Sequence, residues 1–238
     1  MGRNAEWMNS ALVGRDGFCR TPFAPALFMQ DYHGWFDHFV LTTITSTTTM
    51  AGFVLTGITT GTVVAQDMAG GVLGLVGGSA DGKGIEIQAA GECFLPAANK
   101  DLFLEARVAC VDADDIDWFI GLATTDTSLF ASEPDNKIEF SGDDGDANLD
   151  FQVRGGGAGD PVDTTYDMAN NTWRRVGFHV KGVTSVTPYI DGVAGTAVTA
   201  NIPAVEMKLS FGMLDGATAA PNKLLIDWIR VMQFGQAA

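Results

Sequence analysis

The stretch Leu102-Phe103-Leu104-Glu105-Ala106-Arg107-Val108-Ala109-Cys110-Val111 decides the fold class. Successive side chains of a strand point to opposite faces. Leu102, Leu104, Ala106, Val108 and Cys110 therefore share one face, while Glu105 and Arg107 share the other. Such alternation predicts a half-buried β-strand.

The same two-residue period recurs in both directions from this point. In residues 173–181, Val176, Phe178 and Val180 point one way and Arg175, His179 and Lys181 the other. Tyr189-Ile190-Asp191-Gly192 reads as a strand ending in a tight Asp-Gly turn. In residues 223–234, Leu225, Ile229 and Val231 fall on one face and Ile226, Trp228 and Met232 on the other. Apolar character on both faces predicts a central or interface strand there. Residues 39–64 are rich in Thr, Val and Ile, which fit a pleated surface, and Gly52, Gly57 and Gly61 supply turns. Further runs at residues 84–90, 117–123, 137–140, 148–154 and 205–211 bring the expectation to about ten to fourteen strands. Helical periodicity is nearly absent. The reading is an all-β, two-sheet sandwich over residues 40–238.

Residues 1–39 differ. They hold Trp7, Phe18, Phe23, Phe28, Tyr32, Trp35 and Phe36 with little alternation, and Pro22 and Pro25 interrupt them. Rings without a period of their own must be buried against something else. The expectation is an irregular N-terminal arm, with a short helix at residues 26–36, that wraps its own sandwich or reaches a neighbouring subunit.

Composition removes several functions. The chain of 238 residues carries 29 acidic against 14 basic side chains, a formal charge of −15. Without a basic stripe it lacks what phosphate backbones require, so no nucleic-acid partner is expected. Three cysteines, Cys19, Cys93 and Cys110, have no paired spacing, which argues against a disulfide framework or zinc site and for a reducing compartment. Residues 1–6 begin no apolar run of the signal-peptide kind. The apolar stretches 50–64 and 70–78 are too short and too broken to span a bilayer, so no membrane partner is expected.

From about residue 84 to 234 the chain resembles the concanavalin A-like lectin/glucanase superfamily, a two-sheet antiparallel jelly roll. The likeness rests on the strand at 102–111 and on Trp173-Arg174-Arg175-Val176-Gly177-Phe178-His179-Val180 with the 186–192 hairpin. Leu225-Ile226-Asp227-Trp228-Ile229-Arg230-Val231 completes it. The hairpin is similar to that of laminin-G-like domains. Such sandwiches host lectins, glycosidases and inert modules, so the fold alone decides no function. The whole chain also resembles tailed-phage virion proteins that decorate or cement a capsid, in its aromatic arm, Gly/Thr-rich strands and jelly-roll end.

Catalytic patterns are incomplete in this sequence. The glucanase branch carries Glu-x-Asp-x-(x)-Glu on one strand, and the nearest run here is Glu133-Pro134-Asp135-Asn136-Lys137-Ile138-Glu139. If extended, it separates its two Glu by about 20 Å, whereas a retaining pair needs about 5–5.5 Å. None of His33, His38 and His179 accompanies a nucleophile-elbow motif, and packing is the expected role of each. Asp112, Asp114, Asp115 and Asp117, and Asp143, Asp144 and Asp146 with Asn148, suggest calcium by their oxygen chemistry, but Leu149 stands where an EF-hand loop wants Gly. Solvated turns are the reading adopted. Gly155-Gly156-Gly157-Ala158-Gly159 lacks the Lys-Ser/Thr of a phosphate cradle and reads as a hairpin loop. Trp118, Trp173 and Trp228 are candidate sugar platforms or core residues.

The expectation is thus a non-enzymatic protein with no catalytic residue, cofactor or metal. It is read as a capsid decoration or cement protein on the virion surface, made in the host cytoplasm. Trp7, Phe18, Phe23, Phe28, Tyr32, Trp35 and Phe36 would grip the major capsid protein or a further copy in a homo-oligomer such as a trimer. The alternative is a lectin-like module that binds host glycans.

Overall fold

The computed structural model describes residues 32–37, 44–46, 49–58, 60–66, 68, 71–78, 80–217 and 222–234; of 32–37, 44–46, 49, 57 and 58 it describes the backbone. The strands are β1 (Tyr32–Asp37), β2 (Ile44–Ser46), β3 (Thr49–Met50), β4 (Phe53–Ile58), β5 (Thr62–Gln66), β6 (Val72–Val76), β7 (Gly84–Ala89) and β8 (Asp101–Cys110). They continue with β9 (Ile116–Ala123), β10 (Lys137–Asp143), β11 (Asp146–Arg154), β12 (Val162–Asp167), β13 (Arg174–Lys181), β14 (Ser185–Ile190), β15 (Val193–Ala194), β16 (Lys208–Asp215) and β17 (Lys223–Phe234). There is no helix among the described residues.

Two sheets form the body. An eight-stranded sheet runs β15-β14-β13-β8-β17-β6-β5, with β1 added beside β17. A seven-stranded sheet runs β12-β11-β10-β9-β16-β7-β4. Every pair between named strands is antiparallel. The inner face of β8, made by Leu102, Leu104, Ala106, Val108 and Cys110, is fully buried, as its alternation predicts. Val176, Phe178 and Val180 of β13 join it, opposite Ile116, Trp118, Ile120 and Leu122 of β9, Ile138 and Phe140 of β10, and Phe211 of β16. Phe178 and Phe151 meet across the sheets with ring centroids 6.0 Å apart. Each such side chain contributes about 1.5–3 kcal/mol by leaving water.

Two local readings are confirmed at residue level. Asp191 and Gly192 have φ of 49° and 85°, as the two-residue turn from β14 to β15 requires. Asp191 also accepts from Arg174 Nη1 at 2.8 Å and from the Arg175 amide at 2.9 Å, which holds the turn against β13. Cys110 lies in the core, where burial pushes its thiol up to about 12.

Three readings are corrected. Residues 32–36 are not helical, because β1 pairs Tyr32 with Phe234 through Asp37 with Ile229, so the backbone's donors and acceptors go to β17. Ile226 and Ile229 both face the core, because a bulge between Ile226 and Trp228 inserts one residue and shifts the period. β12 falls where no alternation was read. Its residues are mostly exposed at a sheet edge, so there was no apolar period to see.

Phe178→Ala should lower the free energy of unfolding by about 3–5 kcal/mol, read from urea denaturation. An unchanged midpoint would show that the two sheets do not meet at this ring.

Candidate functional site

The face of the seven-stranded sheet turned away from the core is built by default. Burying Ile138 and Phe140 of β10 forces Lys137, Glu139, Ser141 and Asp143 outward. Neighbouring strands add Gln152 and Asp150 from β11, Phe119 and Gly121 from β9, Ser210 and Gly212 from β16, and Glu86 and Gln88 from β7. The pairing sets these in lines across the strands. One line runs Gln152, Glu139, Gly121, Ser210, Gln88, Val54; the next runs Asp150, Ser141, Phe119, Gly212, Glu86, Thr56.

Several of these outward polar residues are nonetheless buried. Glu86, Gln88, Lys137, Glu139, Gln152 and Ser210 are each at most 6% exposed. Part of the cover is the connection from β9 to β10, residues 124–136, whose ends are joined by the Thr124 amide donating to the Asn136 carbonyl at 3.0 Å. It is fastened from below. Glu86 Oε1 accepts from the Phe130 amide at 3.0 Å, and Gln88 Oε1 accepts from the Asp126 amide at 3.1 Å. Gln88 Nε2 donates to the Thr124 carbonyl at 3.0 Å. The Phe130 ring stands edge-on to Phe119 at 4.9 Å.

Beside this connection, over β9, β10 and β11, lies a cavity of about 410 Å³ walled by Leu129, Phe130 and Glu133 and floored by Lys137, Glu139 and Gln152. That is within the range of small-molecule sites. Lys137 Nζ lies 2.6 Å from Glu139 Oε1 and 3.6 Å from Glu133 Oε1. Glu133 Oε2 also accepts from Arg154 Nη1 at 3.1 Å. The two glutamates, expected far apart along an extended strand, thus meet at one ammonium. Their facing oxygens, both on Lys137 Nζ at 2.6 and 3.6 Å, are at most about 6.2 Å apart, a limit that admits the roughly 5–5.5 Å of a retaining carboxylate pair. The reason is that Glu133 stands on the folded-back connection and not on the strand. Read back by twos from Glu139, the glucanase pattern meets Lys137 and Asp135 where it wants Asp and Glu, so Glu139 alone matches.

Burial pushes the Glu139 carboxyl above its ordinary range, against the pull of Lys137. Burial likewise raises Glu86, against the backbone donors of residues 129 and 130. Asp117 and Asp150 are raised by burial and then by neighbouring carboxylates, Asp143 among them in both cases. The open half of this face is therefore acidic.

The other sequence candidates fall elsewhere. Tyr32, Trp35 and Phe36, expected to grip a partner, lie on β1, whose backbone is bound to the protein's own sheet. Trp7, Phe18, Phe23 and Phe28 lie outside the described residues. Trp118 is core, while Trp173 and Trp228 stack under Arg107 and Arg230 at 4.5 and 4.7 Å on the other sheet. His179 stacks on Phe103 at 4.2 Å, and burial lowers its pKa. Asp112 and Asp146 accept from amides two residues on, those of Asp114 at 3.4 Å and Asn148 at 3.0 Å, and the Asp144 amide donates to Asp117 Oδ1 at 2.7 Å, joining the two segments. Among the described residues no group of three acidic, His or Cys side chains is placed to hold a metal. Sequence reading passed over Lys137, Gln152, Glu86 and Gln88. The available signal was a charged or amide residue between two large apolar ones, as in Ile85-Glu86-Ile87 and Ile138-Glu139-Phe140.

No family model and no curated protein matches the chain. Solved structures do. An endo-1,3-β-glucanase from Streptomyces sioyaensis superposes with a TM-score of 0.64 at 13% identity, covering 87% of this chain and 98% of that one. A protein of unknown function from Shewanella oneidensis MR-1 gives 0.62 at 12%, covering 88% and 90%. The β-glucanase of Bacillus licheniformis gives 0.58 at 14%, covering 86% and 98%. At such identities the likeness establishes the fold, the antiparallel jelly-roll sandwich of the glucanases. It corrects the expectation of a non-enzymatic chain, because the solved structures sharing this sandwich over most of both chains include several glucanases, and the distance argument against Glu133 and Glu139 has gone. The capsid-decoration reading receives no support from these likenesses.

The raised acids carry a pH signature. Above the ordinary carboxylate value of 4.5 the unfolded chain has released the Glu139 and Glu86 protons, while the folded chain still holds them. Stability should therefore fall as the pH climbs from about 4.5 through the raised values, then level off. Urea midpoints at pH 5, 6 and 7 would read this, and Glu139→Gln should flatten the slope. Midpoints that rise over this window would refute it.

Proposed function

We propose that this protein cleaves or transfers glycosidic bonds of a neutral carbohydrate held in the cavity over β9, β10 and β11. Glu139 is the proton donor and Glu133 the second carboxylate. The observation that carries this is the pair of carboxylates on one ammonium, Lys137 Nζ, at the floor of a cavity of about 410 Å³. A buried carboxyl whose pKa is raised above its ordinary range by burial is suited to protonate a leaving oxygen.

In this reading Glu139 gives its proton to the bridging oxygen as the bond from that oxygen to the anomeric carbon breaks. An oxygen of Glu133 bonds the same carbon. Glu139 then takes a proton from a water, or from a second sugar hydroxyl, whose oxygen displaces Glu133 and restores both groups. A limit of about 6.2 Å between the facing oxygens favours this two-step course over inversion, which needs about 6.5–9.5 Å to seat the water. Lys137 and Arg154 hold Glu133 in place. Gln152 is held in the floor by donating its amide to the Gly159 carbonyl at 2.7 Å, and the Phe130 ring at the wall offers an apolar surface to a sugar ring. The jelly-roll likeness to glucanases supports β-linked glucose polymers as the first substrates to try. The acidic face favours neutral chains over polyuronates, whose charge it would repel.

Incubation with β-1,3-glucan and mixed β-1,3-1,4-glucan should release reducing ends. Glu139→Gln should cut kcat/KM by about 10²–10⁴-fold while leaving the fold intact. Polygalacturonate should be neither bound nor cut. Binding without new reducing ends would sink the cleavage step, and absence of binding to any of these chains would sink the whole reading.

A further inference from the structure

We propose that the protein holds a second ligand, an uncharged molecule built mainly of an apolar ring system, in a cavity between the outer margins of its two sheets. The site is separate from the cleft over Glu139 and does not rest on the reading given for it.

The sandwich is open along one side. β12 ends the seven-stranded sheet and β15 the eight-stranded one, and among the described residues no ladder joins them. Residues 193–198 continue the second margin, with the Gly195 amide donating to the Pro188 carbonyl at 2.9 Å and Val198 exchanging two bonds of 2.8 Å with Val186. Between the margins lies a cavity of about 590 Å³, larger than the cleft and within the range of small-molecule sites. Phe151 and Ile190, both core residues, form its floor. Phe151 faces inward where its neighbour Gln152 faces the cleft, so the seven-stranded sheet separates the two cavities. Val162 on β12 and Val193 on β15 stand at the mouth, 60% and 56% exposed, one on each margin. Large apolar side chains left in water on both sides of one opening mark a surface that a ligand covers.

The wall supplied by β12 is held out of regular strand form. Three of its residues, Thr164, Thr165 and Tyr166, stand opposite Leu149 alone. Thr165 has φ of 65°, a left-handed conformation that a β-branched side chain resists. Its neighbours keep it there. Asp163 Oδ1 accepts from the Thr165 amide at 2.6 Å, Thr164 Oγ1 donates to the Leu149 carbonyl, and Tyr166 packs against the core. Strain of this kind persists only where the surroundings impose it, and it gathers at ligand sites.

The same features select the occupant. A kinked margin offers no regular ladder to an added strand, which excludes a docked peptide strand. Asp160, Asp163 and Asp167 are exposed along it, so a second copy of this chain of charge −15 is repelled. No Lys, Arg or His lines the cavity, and its one carboxylate, Asp163, already accepts from the Thr165 amide, so a charged group of a ligand meets no partner. An uncharged small molecule remains. Its apolar body would lie on Phe151, Ile190 and Pro188, and a hydroxyl or carbonyl would meet the hydroxyl of Thr165 or Thr196.

The test titrates the full chain with Prodan, an uncharged naphthalene dye, and with anilinonaphthalene sulfonate, an anion of similar size. Prodan should bind at one equivalent with blue-shifted emission, and the anion at least about tenfold more weakly. Val162→Glu combined with Val193→Glu, at exposed positions where the fold tolerates charge, should weaken Prodan at least about tenfold. Thr196→Trp, which fills the mouth from outside the strands, should act alike and keeps the test open should the double variant not fold. Val54→Glu combined with Val205→Glu, also exposed but outside this cavity, should change binding by less than about twofold. Excess linear β-1,3-gluco-oligosaccharide should leave the dye bound. No Prodan binding, equal loss in the two double variants, preference for the anion, or displacement by the oligosaccharide would overturn the site. The cleft is judged apart from it, by release of reducing ends.

Discussion

The constraint on which this molecule depends is the two-residue alternation of the seven-stranded sheet. The sandwich needs Ile116, Trp118, Ile120, Ile138 and Phe140 on its inner face, and burying them leaves the residues between them no choice but to face outward. A slip of one residue in β10 would drive Lys137 and Glu139 into the core and expose Ile138 and Phe140. The packing that stabilises the body therefore also aims the candidate site. The line from Gln152 through Glu139 to Gln88 is as fixed as the hydrogen-bond register that creates it.

A second level of order follows from burying polar groups on that outer face. Isolated carboxylates out of water are costly, and the molecule meets the cost by partnering them. Glu86 and Gln88 are matched to backbone amides of residues 124–136, and Glu139 is matched to Lys137. The connection and the face thus specify each other. The connection has no helix or strand of its own, and its place is set by side chains beneath it. Partnering does not fully offset burial, which is why Glu139 and Glu86 hold their protons above the usual range.

The sandwich was legible because its signal is local. Leu102 to Cys110, Val176 to Val180 and the Asp191-Gly192 turn each carry their own pattern within ten residues. The bulge in β17 was not legible, since an inserted residue looks like any other until its partners on β8 are known. The same limit hid the site. Glu133 and Glu139 are six positions apart in sequence, and extended-strand geometry misplaces Glu133, because Lys137 draws it back from a connection whose path depends on Glu86 and Gln88 far upstream. The rings of residues 1–39 suggested a partner because they lacked alternation. Yet Tyr32, Trp35 and Phe36 lie on a strand recruited by β17, whose sequence lies about two hundred residues away and could not be paired with them by inspection.

The position of β16 and β17 in the chain has a kinetic consequence. Among the described residues these are the last two strands in sequence, yet each sits inside its sheet. β16 separates β9 from β7, and β17 separates β8 from β6 while also receiving β1. The seven-stranded sheet cannot close before β16 has emerged from the ribosome, nor the eight-stranded sheet before β17. Until then β6, β7, β8 and β9 have apolar faces and open edges with no partner, the situation in which nascent chains aggregate or engage chaperones. Assembly of this body is therefore gated by residues 208–234, and a chain cut before β16 would forfeit the centre of both sheets at once instead of trimming one margin.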